Sequence, residues 1–253
     1  MLPYSGNGDP GCFSGIVVSR MTLHALEYWA IRLHVVPGAV AMIVAPAAML
    51  VTKGGWWHRL WGRIFVWSIF VALLAAVPLA YFANDLFLFY MTFVIFFLTL
   101  SGYRIHIIKR QNYRGGLIDW IGVAVMALAG VGATRLGLST GSEMGFVMLI
   151  VGLGVMVGAA GDFYRLVRSP RHKQAWWFIH MGKMLSAYVS AVTAVSVVQF
   201  HWLPTTIRWL WPMAIGVPGM FVWSRYYRNQ FRRSEGRVQV RVVAGPVAGP
   251  ARR

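Results

Sequence analysis

The chain has 253 residues, of which 58% are hydrophobic and only 12% charged, and it carries a formal net charge of +17. A typical soluble domain has about 25% charged residues; with so few polar side chains to cover a water-facing surface, an ordinary water-soluble fold is excluded. The basic excess invites a nucleic-acid partner, but no zinc-finger spacing or RNA-binding signature accompanies it. Basic flanks are what membrane topology demands, so no nucleic-acid partner is expected.

From the N-terminus, Met1 to Gly15 is polar and rich in Gly and Pro. It has no apolar core of the kind a cleavable signal peptide needs, and Cys12 lacks the setting of a lipoprotein cysteine and any partner for a disulfide. Residues 1–20 are expected to form a disordered extension, with Met21 the true start. An amphipathic stretch follows, carrying His24, Glu27 and His34 on one helical face within about 80°. The two imidazoles are nearly three turns apart, about 15 Å, too far to share an ion, and no metal site is expected.

Seven apolar segments come next: 33–51, 62–83, 86–103, 117–135, 144–161, 175–200 and 207–224. About 20 apolar residues in a helix cross the hydrocarbon core of a bilayer. The segments are continuous runs of Leu, Val, Ile, Phe, Ala and Gly rather than alternating patterns, so they read as helices and not barrel strands. The expectation is an all-α polytopic transmembrane bundle over residues 21–226, followed by a basic disordered cytoplasmic tail over 227–253.

Lys and Arg alternate between the gaps. Lys53, Arg59 and Arg63 fall in the first gap; Arg104, Lys109, Arg110 and Arg114 in the third; Arg165, Arg168, Arg171 and Lys173 in the fifth. The tail from Arg225 holds eight more, whereas the opposite side has only Arg20, Arg32, Arg135 and Arg208. The positive-inside bias places the odd gaps and the C-terminus in the cytoplasm and the N-terminus outside. Trp56, Trp57, Trp61, Trp176, Trp177, Trp202, Trp209 and Trp211 cluster at the span ends, where indoles anchor at the headgroup level. The basic tail suits anionic lipid headgroups, each Lys or Arg near the surface contributing about 1 kcal/mol.

Small residues mark close helix approach. Gly154-x-x-x-Gly158 with Gly161, and Ala129 to Ala133 with Gly130 and Gly132, are expected to pack inside the bundle.

Candidate chemistry lies in the histidines and in span six. His58 precedes span two and is followed by Arg59. His180 and Lys183 stand in the first turns of span six, and the same helix continues through Ser186, Ser190 and Thr193. Ionisable groups inside a span are costly and face the protein interior or a cavity. His58, Arg59, His180, Lys183, Ser186 and Ser190 therefore form a candidate site for an anionic lipid or small solute near the cytoplasmic face. The alternative is haem held by two histidines on facing helices, for transmembrane electron transfer: His180 with His58 or His106 on the cytoplasmic side, or His34 with His201 on the outer side. Pro46, Pro78 and Pro218 also fit the broken helices of a transporter, but there is no internal repeat to match. An accessory subunit of a membrane complex is a third reading, with no partner indicated.

Taken together, His34 with Gly38, His58-Arg59-x-x-Gly62, Ser101-Gly102-Tyr103-Arg104, His180-Met181-Gly182-Lys183-Met184, Ser186-Ala187-Tyr188, Thr193-Ala194 and Leu203-Pro204 resemble a group of bacterial multi-pass membrane proteins classed only as a domain of unknown function. The likeness runs over about residues 33–226. It implies a helical bundle in the bacterial inner membrane and brings no activity with it. Lys183 stands where that pattern leads one to expect Arg, which argues against a bidentate anion clamp at this position.

Overall fold

The computed structural model describes residues 10–108, 115–168 and 174–243. These form seven helices: α1 (Pro10–Leu50), α2 (Trp56–Phe82), α3 (Leu86–Ile108), α4 (Leu117–Thr140), α5 (Glu143–Val167), α6 (Ala175–Gln199) and α7 (Thr205–Val243). No strand occurs among the described residues, whose regular structure is all helical. Six helical segments are long and apolar enough to cross a membrane: Ala25–Leu50, Trp56–Phe82, Leu86–Ile105, Leu117–Thr140, Glu143–Val167 and Ala175–Gln199. α7 is long enough but less apolar, because Arg208, Pro212, Pro218 and several Trp interrupt its hydrocarbon stretch.

The helices outrun the expected spans at several ends. α2 starts at Trp56 rather than residue 62, so His58 and Arg59 lie within its first turn and share a face with Gly62 and Arg63. α1 begins at Pro10, and α7 continues through residues 227–243, where disorder was expected. The reason at the C-terminal end is a stripe of aromatics four residues apart. Tyr227 and Phe231 pack on Trp177 at the start of α6, with ring centres 4.7 and 5.5 Å away. The remainder of the tail, from residue 244, lies outside the described residues, as do residues 1–9.

Neighbouring helices pair antiparallel. α1 and α2 bury Ala41, Val44, Ala45, Phe65, Val66, Ile69 and Leu73 in one core, which Ala187 of α6 completes. The α2–α3 turn is tight: Asn84 takes a left-handed conformation (φ 50°), and the Asp85 carboxylate accepts the Leu88 N–H at 3.0 Å as a helix cap. α4 and α5 approach backbone to backbone. A Cβ added at Gly137 would stand 2.6 Å from Leu149 N, and one at Gly152 would stand 2.6 Å from Thr134 N. The small-residue expectation is therefore met at Gly130 but moves along α5. Gly154 and Gly161 have nothing within 4 Å, and Gly158 meets only a Met126 methyl at 3.8 Å. Gly152 and Gly145 carry the close contact instead.

The pairing gathers the ends of α1, α3 and α5 and the starts of α2, α4 and α6 at one end of the bundle. Ala48 bonds His58, Gly102 bonds His180, Arg104 pairs with Asp119, and Asp162 pairs with Lys183. Lys53, Arg59, Arg63, Arg104, Arg165 and Arg168 all belong to these termini, so this is the basic end. The outer flanks of the helices expose Ile43, Leu74, Leu128 and Val157, side chains that suit contact with lipid.

Candidate functional site

A cavity of about 500 Å³ opens at the basic end between α1, α2, α3, α6 and α7. It is built from helix termini. α1 contributes Ala45, Ala48 and Met49, and the α1–α2 turn adds Lys53 and Gly54. Gly54 sits at φ 76°, a left-handed backbone that a glycine adopts without strain, and it reverses the chain into α2. From α2 come His58, Arg59, Gly62 and Arg63, four positions on two successive turns of one face. Tyr103 of α3, Trp176, Trp177, His180, Met181 and Met184 of α6, and Trp223 of α7 close the apolar walls.

Both pocket histidines are oriented by main-chain carbonyls. The His58 Nδ1–H donates to Ala48 O at 2.9 Å and the His180 Nδ1–H to Gly102 O at 2.8 Å. A carbonyl oxygen only accepts, so the proton of each neutral ring sits on Nδ1 and the lone pair on Nε2. The two ring centres lie 6.4 Å apart, with planes at 75°. Gly102 makes the α3–α6 approach that sets His180: a Cβ there would stand 2.6 Å from the Met184 Cε and 2.9 Å from the Lys183 Cβ.

Charge at the rim is positive. Lys53 donates to the Met49 carbonyl and lies 5.5 Å from the centre of the Trp223 ring. Its ammonium is partly withdrawn from water, and this burial holds its pKa below the ordinary lysine value. Arg59 and Arg63 line the cavity on the α2 side. A body with an apolar bulk and an anionic edge matches this lining, because the walls are indole, thioether and aliphatic and the edge is cationic.

The structure separates the other candidates from this pocket. Lys183 is 7% exposed and pairs with Asp162, which the partly exposed Arg165 also engages, so it belongs to an ion triad rather than to the cavity lining. Ser190 and Thr193 donate to carbonyls one turn back, Val189 receiving Thr193 and Ser186 receiving Ser190, each at 3.0 Å. The Ser186 hydroxyl stands 3.8 Å from the Met220 sulfur. The hydroxyl face of α6 is thus bonded to its own helix and to α7. His34 donates through Nδ1 to Ala72 O at 2.9 Å, 14 residues along α1 from Ala48 and hence about 21 Å from the pocket level. His201 is exposed in the α6–α7 turn, and among the described residues no ring contact joins it to His34. The His106 side chain lies outside the described residues.

Lys53, Arg63, Tyr103 and Trp223 are site residues that the sequence reading missed. Arg63 had a usable signal, standing four residues after Arg59 on one helical face. Lys53 and Trp223 reach the pocket only through the turn at Gly54 and the packing of α7, which no local pattern shows. Among the described residues no three His, Cys, Asp or Glu side chains gather as a metal cluster. No family model, curated protein or solved structure matches the chain.

Proposed function

We propose that the protein is a seven-span membrane protein, N-terminus outside and C-terminus in the cytoplasm, that binds an anionic amphiphile in the His58–His180 pocket. The observation that carries this reading is the cavity itself, an apolar and aromatic chamber with Lys53, Arg59 and Arg63 at its edge. Its position at the basic end supports a cytoplasmic opening, since Lys and Arg mark the cytoplasmic side. The bacterial inner membrane is the matching location, as the family resemblance implies. In this reading α7 crosses as the seventh span, with Arg208 at its outer end and its basic continuation along the cytoplasmic surface, in reach of anionic headgroups. The hydroxyl-bearing face of α6 and Lys183 serve packing rather than passage of a solute.

Two ligand sources share this chemistry, an anionic phospholipid and a free porphyrin dicarboxylate, and both are used as probes. The full chain is purified and its retained ligand read by native mass spectrometry, after exposure to phosphatidylglycerol–phosphatidylcholine vesicles or to metal-free protoporphyrin IX. At least one anionic probe is expected to be retained over phosphatidylcholine. Its occupancy should fall at least tenfold in Gly62→Leu, because Gly62 lines the cavity and nothing lies within 4 Å of its Cβ position to obstruct the added side chain. The triple variant Lys53→Gln, Arg59→Gln, Arg63→Gln should lose it as well. Occupancy should also fall as pH rises through the lowered pKa of Lys53, because the ammonium that meets the anion is then neutral. Retention of neither anionic probe by the wild type, or retention unaffected by Gly62→Leu, contradicts the reading.

A further inference from the structure

We propose that His58 and His180 are the two axial ligands of a haem seated in this pocket. The inference rests on the pocket reading above and narrows its ligand to an iron porphyrin.

The ring spacing is the first support. A metal–imidazole nitrogen bond of about 2 Å, with about 1.1 Å more from that nitrogen to the ring centre, puts two imidazoles on opposite sides of one ion about 6.3 Å apart, centre to centre. The observed separation is 6.4 Å. The planes at 75° are compatible with axial ligation, which leaves each ring able to rotate about its own bond to the metal.

Tautomer and orientation are the second support. Metal-binding imidazoles are held by a hydrogen bond from the other ring nitrogen, commonly to a main-chain carbonyl, and this fixes both the tautomer and the ring plane. His58 and His180 each have that bond, to carbonyls on two different helices, Ala48 of α1 and Gly102 of α3. The lone pair therefore sits on Nε2 in both neutral rings, the atom an axial ligand presents.

Room for the macrocycle is the third. Gly62 stands one turn beyond His58 on the same face, lines the cavity, and has no atom within 4 Å of where a Cβ would sit. A large flat ring beside His58 would need that absent side chain. Trp176, Trp177, Tyr103 and Met184 supply apolar faces, and Lys53, Arg59 and Arg63 supply cations for the two propionates. Among the described residues no third acid, thiol or histidine gathers with the two imidazoles, and a porphyrin iron, whose four equatorial positions are already filled, takes only two protein ligands.

The test is a titration of the full chain in detergent with haemin and, in parallel, with metal-free protoporphyrin IX. The wild type is expected to give the absorbance and electron paramagnetic resonance spectra of a six-coordinate, low-spin bis-imidazole haem. His58→Gly and His180→Gly should each lose the six-coordinate spectrum, and added imidazole should restore it, which separates a lost ligand from a lost fold. Metal-free protoporphyrin IX, which has no iron to ligate, should bind the wild type and give no such low-spin spectrum. If haemin gives no low-spin spectrum with the wild type, or if the spectrum survives in either variant without imidazole, axial ligation by this pair is overturned. If in that event the metal-free porphyrin still binds and Gly62→Leu still abolishes it, the anionic-amphiphile reading stands alone.

Discussion

Replacing Asp162 by alanine is expected to cost the folded bundle about 3–5 kcal/mol, the range for removing one partner of a buried ion pair. The magnitude follows from what the carboxylate holds. Asp162 near the end of α5 engages both Lys183 of α6 and Arg165 of its own helix. The Lys183 side chain is 9% exposed and that of Asp162 13%. Without the carboxylate, Lys183 is left as a buried cation beside Arg165, whose side chain is 35% exposed, and the cost is that of one uncompensated buried charge rather than of one lost contact. Lys183→Met should be milder, because it leaves the Asp162–Arg165 pair intact and keeps an apolar stem of similar length. Thermal unfolding of the purified variants in one detergent checks the order. A melting point lower for Lys183→Met than for Asp162→Ala would contradict the triad as described.

The second large effect is expected at Gly137. A leucine there would place its Cβ 2.6 Å from Leu149 N and 2.7 Å from Gly145 O, both main-chain atoms that cannot swing aside. The α4 and α5 backbones would have to separate, and the loss should reach or pass the upper end of the usual 1–3 kcal/mol for overpacking, about 3 kcal/mol. Gly154→Leu on the same helix pair is the control. Nothing lies within 4 Å of its Cβ, so its stability should stay within about 0.5 kcal/mol of the wild type. Equal losses in the two variants would mean that the packed face of α5 had been misassigned.

The contrast between Gly137 and Gly154 shows where sequence reading ran out. Spacing identified the Gly154-x-x-x-Gly158 stripe but carried no information on which of the glycine faces of α5 meets α4. Helix existence was legible, because runs of about 20 apolar residues have few other physical solutions. Helix ends were less so: the hydropathy that places a span fades before the hydrogen-bonded turns do, and α2 therefore starts six residues before the expected boundary at 62. The packing of α7 beyond residue 226 could have been read from Trp223, Tyr227 and Phe231, an i, i+4, i+8 stripe, but the surrounding Arg residues dominated the reading.

The pocket was half legible. His58, Arg59 and His180 fall together as their shared depth suggests, since both histidines sit in the first turns of parallel helices. Lys183 stands only three residues after His180, but three residues turn a helix by about 300° and shift it by about 4.5 Å. That displacement is enough to put Lys183 against Asp162 while His180 lines the cavity. Asp162 was visible as an acid at the same depth, yet no one-dimensional rule pairs residues 21 positions apart on separate helices.

Everything proposed for the site depends on the basic end of a membrane-embedded bundle facing the cytoplasm. The direct measurement is labelling by a membrane-impermeant maleimide in a Cys12→Ser background, with a single cysteine at Thr52 in the exposed α1–α2 turn beside the pocket or at exposed Ser139 at the other end of α4. Thr52→Cys is expected to react only in inside-out vesicles, and Ser139→Cys only from the periplasmic side of intact inner membrane. Reaction of Thr52→Cys from the periplasmic side, or of both positions from one side, would contradict the account.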